Sequence, residues 1–203
     1  MTQAKTKAKS TLAEAPEELS CFSLDFSECP GFKYIRYFYK EERERVGIAA
    51  MFQAKLTPKG HVAARHDLLL PDAASGEYQD LPYLLQRFDT MLPRVERNGY
   101  AQFTVTLPPG QAAHVGWEQV RAWVRSYFVN RQQLAALMVL HLPFLAGSAN
   151  PNHIHVLLPA RRLSVHGFSG QARDVCSDQG CREALASWIE LRTPPTNEES
   201  ISL

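Results

Sequence analysis

The chain has 203 residues, 45% hydrophobic and 21% charged, with 22 Lys and Arg against 21 Asp and Glu for a net charge of +1. That length supports one domain with a substantial core and is too short for two large ones. The balanced charge neither indicates nor excludes a nucleic-acid partner, because a total hides any local basic patch.

At the amino terminus, MTQAKTKAKSTLAEAPEE lacks the apolar core of a signal peptide, and residues 1–19 read as a disordered arm. No run approaches the ~20 apolar residues of a membrane span, so a cytoplasmic protein is expected. The folded domain is expected over residues 20–192, with 193–203, TPPTNEESISL, a tail that opens with two prolines after a helix. The four cysteines, Cys21, Cys29, Cys176 and Cys181, form two separated pairs. Neither pair has the two-residue gap of zinc knuckles or redox motifs, and reduced thiols are expected.

FKYIRYFYK, rich in aromatic and β-branched residues, predicts a strand, and EERERVGIAAMFQAK predicts a helix ending near Lys55. A turn at Thr57-Pro58-Lys59-Gly60 leads into HVAARHDLLLP, an extended segment. The apolar stripe Leu84, Leu85, Phe88, Met91, Leu92 and Val95 predicts a helix over residues 81–98, kinked at Pro93. YAQFTVTLPP alternates as a half-buried strand, and residues 117–131 form a second amphipathic helix that buries Tyr127. LAALMVLHLP and HIHVLLP are then two apolar strands whose short connection, FLAGSANPN, makes them an antiparallel pair. The order β-α-β-α-β-α-β-β implies a sheet with helices packed on it.

Along HIHVLLP, alternation puts His153 and His155 on one face and Asn152, Ile154 and Val156 on the other. A hairpin returns the end of the preceding strand, with His141, beside them. Three imidazoles then converge as a facial metal site with positions open for substrate. His61, His66, His114 and His166 have no such geometry and read as solvent-facing. Neutral imidazoles suit zinc, iron, copper, nickel or manganese better than magnesium. The segment from Val156 to Ala160 holds no carboxylate, which argues against a cupin-type oxygenase or a zinc hydrolase needing a nearby base.

The run VLHLPFLAGSANPNHIHVLLPARRLSVHGF resembles the metal-site region of MobA/MobL-type (MobQ-like) plasmid relaxases. It has a strand ending in histidine, then Asn-Pro, His-hydrophobic-His, and an Arg-Arg tail leading to Gly-Phe. The resemblance reaches upstream through FTVTLP, VERN and HDLLLP to FKYIRYFYKEERERVGIAAMFQAK. It implies an HUH-type single-strand DNA nuclease: an α+β domain with an antiparallel sheet flanked by helices. His141, His153 and His155 would hold a divalent metal, manganese or magnesium by family habit with zinc as an alternative. The implied partners are single-stranded origin DNA of a mobile element and accessory mobilisation proteins.

In that chemistry a tyrosine near the end of the first helix attacks the scissile phosphate, and the matching position here is Phe52, in Ala49-Ala50-Met51-Phe52. The resemblance thus implies a cleavage-impaired domain. Asp67 would orient a ligand or assist the attack, Arg161 and Arg162 would contact phosphate, and Glu96 reads as structural. Two other readings stay open. One is an active nicking and joining enzyme that uses Tyr34, Tyr37 or Tyr39, expected on one face of the first strand, or whose tyrosine at 52 has been replaced. The other is a non-catalytic regulatory protein on the same fold.

Overall fold

A computed structural model describes residues 19–40, 47–59, 62–93 and 95–193. The expected arm up to residue 18, the tail from 194, the helix start over 41–46, and Gly60 and His61 lie outside the described residues. The strands are β1 Leu19–Asp25, β2 Phe32–Tyr39, β3 Ala63–Leu69, β4 Asn98–Thr106, β5 Ala136–His141 and β6 His153–Pro159. All six form one antiparallel sheet in the order β1-β2-β4-β6-β5-β3. The helices are α1 Ala49–Leu56, α2 Leu81–Met91, α3 Ala113–Trp123 and α4 Asp178–Arg192. A separate hairpin, β7 Arg161–Ser164 with β8 Gly167–Gln171, follows the sheet. The α+β plan of an antiparallel sheet flanked by helices is therefore the one the chain adopts.

Strand alternation divides the interior into two cores. On one face Tyr34, Phe103, Met138 and Val156 meet α3 and α4 through Trp117, Trp123 and Trp188. On the other, Tyr37, Tyr100, Val139 and Leu157 meet α1, α2 and the small hairpin through Phe52, Phe88 and Phe168. Covering both faces removes the polar alternation from β5, buried at all six positions, which explains its continuous apolar run.

Several elements depart from the sequence reading. α2 stops at Met91 instead of continuing to 98, because the ring of Pro93 disfavours helical backbone at Leu92, which takes ψ 116°. Helix α3 continues over Val124–Arg131 as a π-helix. Its wider i→i+5 turn brings Val129 inward with Val124 and Phe128, where α-spacing would turn it out. β1 and the β7-β8 hairpin have no counterpart in the sequence reading. β1 is an edge strand with a mixed polar composition, LSCFSLD, and shows no clean period. Among the described residues no helix is long and apolar enough to cross a membrane, and all four cysteines are free thiols.

The start of α1 is tied to α2, where the Ile48 amide donates to Asp89 Oδ1 at 3.3 Å. Burial pushes the Asp89 carboxyl up to about 6, partly opposed by that amide. A carboxyl that holds its proton more tightly when folded stabilises the fold at low pH, and this contribution is lost as pH rises from about 4 through the folded value. Asp89→Asn keeps the acceptor and removes the buried charge. It is expected to raise Tm near neutral pH and to leave it nearly unchanged near pH ~4. An equal shift at both pH values would exclude this carboxyl as the cause.

Candidate metal centre

The register of the inner strands builds the site. His141 and His153 are direct partners across β5 and β6, and His155 lies two residues further along the same face. The ring centroids are 5.1 Å apart for His141–His153, 4.8 Å for His141–His155 and 4.9 Å for His153–His155. One ligand nitrogen from each lies within 4.8 Å of the others. Nitrogens sharing an ion at ~2.1 Å in tetrahedral or facial geometry are ~3.0–3.4 Å apart, so the widest gap must close by roughly 1.5 Å to seat a cation. His141 and His155 are buried and His153 is half-buried, so His153 is the most open of the three.

Hydrogen bonds set the ring orientations. His141 Nε2 lies 2.7 Å from the Lys55 carbonyl and His153 Nδ1 lies 2.9 Å from the Pro151 carbonyl. A carbonyl only accepts, so both contacts need a ring N–H, which places the lone pair on His141 Nδ1 and His153 Nε2. His155 Nδ1 is 2.9 Å from Thr104 Oγ1, the residue directly opposite on β4. These outer contacts are of the kind that orient metal-ligating imidazoles. The set of neutral nitrogens fits a first-row transition ion better than magnesium.

Phe52 lies on α1 about one turn, roughly 4.5 Å along the axis, before Lys55, whose carbonyl receives the His141 N–H. Its ring is buried and meets Tyr100 edge-on at 5.3 Å. Helix α1 thus carries position 52 on the histidine face.

The tyrosines fare differently. Tyr34, Tyr37 and Tyr39 do not share a face: a two-residue period separates Tyr34 from the other two. Tyr34 faces the α3 and α4 core and donates to the Val175 carbonyl at 2.8 Å. Tyr37 is on the histidine side but stacks on Tyr100 with centroids 4.3 Å apart. The β2 position level with His155 is Lys33, four residues and ~13 Å along the strand from Tyr37, and Tyr39 is further still.

Asp67 also points away from the histidines. It pairs with Met138, and its carboxylate accepts from Arg121 Nε on α3 at 2.7 Å. Arg161 and Arg162 follow the far end of β6, ~20 Å from His153. Arg161 is buried, and its guanidinium donates to the Ser169 and Met91 carbonyls, tying the small hairpin to α2. Arg162 is exposed and donates to the Gln171 carbonyl at 3.1 Å. Glu96 is buried and accepts the Asn98 amide at 2.9 Å, a structural placement. His66 faces the histidine side from exposed edge strand β3. Sequence reading missed Gln102 and Thr104, although the alternating polar positions Gln102, Thr104 and Thr106 of YAQFTVT are the signal that marks them.

No family model and no curated protein matches the chain. Among solved structures it is similar to one described as "Molecular Basis of Vancomycin Resistance Transfer in Staphylococcus aureus", with a TM-score of 0.54 and 18% identity over 64% of this chain and 68% of the other. At that identity the likeness speaks for the fold alone. The chain therefore shares an α+β fold with that structure, and three histidines that could hold a metal sit at one end of its inner strands.

Proposed function

We propose that this protein binds single-stranded DNA of a mobile element at a divalent metal held by His141, His153 and His155, in the manner of the nicking domain of a MobA/MobL-type mobilisation relaxase. The three-histidine group on a relaxase-like fold carries this reading. The similar structure concerns resistance transfer, a process in keeping with it. When bound, the metal would polarise a phosphate oxygen. Phe52 has no oxygen with which to attack phosphorus, so the domain holds the strand without forming a phosphotyrosine bond. Accessory mobilisation proteins would supply what it lacks. Its resident ion is manganese or another first-row metal in preference to magnesium, on the donor set.

The loop between His141 and His153 adds support. Its 3-10 turn Pro143–Ala146 exposes Phe144 and Leu145 at 59% and 54%. An exposed ring beside a phosphate site suits base stacking, which is tolerant of sequence. Phe144→Ala is expected to weaken single-strand binding roughly 10-fold without altering metal uptake. Unchanged DNA affinity would remove this ring from the interface.

The central test is anisotropy of labelled single-stranded DNA with manganese, followed by denaturing electrophoresis. Binding that needs manganese, weakens with salt and leaves no covalent adduct is expected. An adduct would establish an active nicking enzyme. Absence of DNA binding by the metal-loaded protein would favour a regulatory role on this fold.

A further inference from the structure

The three ligand histidines are not oriented alike. Carbonyls settle the ring protons of His141 and His153, whereas His155 Nδ1 meets a hydroxyl that both donates and accepts. Behind that hydroxyl lies Gln102, 3% exposed, two residues along β4 on the same face. Its amide nitrogen is 3.4 Å from both Thr104 Oγ1 and His155 Nδ1, and its carbonyl oxygen is buried without a hydrogen-bond partner.

An amide that turns over exchanges its nitrogen and oxygen at nearly unchanged shape. With nitrogen facing inward, Gln102 only donates, so the contact with His155 Nδ1 is attractive only if Nδ1 carries the lone pair. The ring proton then sits on Nε2, the nitrogen remote from Thr104 and the one a cation needs. With oxygen facing inward the chain reverses: His155 Nδ1–H donates to Thr104 Oγ1, and the Thr104 hydroxyl donates to Gln102 Oε1. His155 Nε2 then presents its lone pair to the metal. The two amide orientations correspond to binding-incompetent and binding-competent tautomers of one ligand.

Resting on the reading of the three histidines as a metal site, we infer that Gln102 and Thr104 are positioning residues for that site. They select the His155 tautomer that ligates, through the chain His155 Nδ1–H to Thr104 Oγ1–H to Gln102 Oε1. Neither side chain touches the ion.

The test uses the full chain and manganese in titration calorimetry, together with long-range proton–nitrogen spectra of the histidine rings in the metal-free protein. Thr104→Val and Gln102→Met keep shape and remove the chain; both are expected to weaken manganese binding by roughly 10- to 100-fold. Thr104→Ser should restore wild-type affinity, a rescue that a packing role would not show. In the spectra, the wild type and Thr104→Ser should carry the His155 proton on Nδ1, and the two disrupting variants should shift it toward Nε2. Wild-type affinity and an unchanged tautomer in both disrupting variants would overturn the inference while leaving the metal site standing. A wild type that binds no manganese would sink the metal reading, and the ring spectra would still decide whether Gln102 and Thr104 control the tautomer.

Discussion

His153→Ala is expected to lower affinity for manganese or zinc by at least about 100-fold, more than the loss of an outer contact causes, because two imidazoles remain where three converged. Among the three, His153 gives the clearest test. It is half-buried, so truncation leaves less void than at His155, which is 8% exposed. His141→Ala would also take away the N–H received by the Lys55 carbonyl at the end of α1, at a cost of about 1 kcal/mol in stability. The control is His66→Ala, on the same sheet face but exposed at the edge, which should bind like the wild type. Metal analysis after dialysis reads all four proteins. Equal metal content in wild type and His153→Ala would end the three-histidine proposal.

Phe52→Tyr is expected to produce a covalent adduct with single-stranded DNA in manganese, where the wild type forms none. The added hydroxyl enters a site where Phe52 is 1% exposed, so about 1–3 kcal/mol of stability should be lost with it. Phe52→Ala separates the two effects. It removes the ring packed against Tyr100 and should cost about 3–5 kcal/mol by leaving a cavity, with no adduct. A gel-shifted species resistant to denaturant and lost on nuclease digestion would report the tyrosine variant. Its absence from a folded, metal-loaded Phe52→Tyr protein would show that position 52 is not in register with the attacking tyrosine of the relaxases.

Local pattern was enough for the part of the site that lies on one hairpin. The alternation of HIHVLLP and the short loop before it bring His141, His153 and His155 together because a two-residue period and an antiparallel register are both local properties. The same logic made the sheet and most helices legible, and it failed at Pro93 only because the apolar stripe outlasted the backbone that could follow it.

What needed the tertiary structure is everything set by distance across the sheet. Asp67 reads as a carboxylate to orient a ligand or assist the attack and Arg161 as a phosphate contact, yet strand facing sends one to Arg121, and strand length puts the other at the far end of β6 among carbonyls. Tyr34 and Tyr37 sit three residues apart and end in different cores. Gln102 and Thr104 lie about fifty residues before His155 and acquire meaning only through the β4-β6 register. The sequence by itself determined the three-histidine cluster and the fold class, since both follow from periodicity within short segments. Only the tertiary structure decided which polar side chains face those histidines, because long-range strand pairing selects their neighbours.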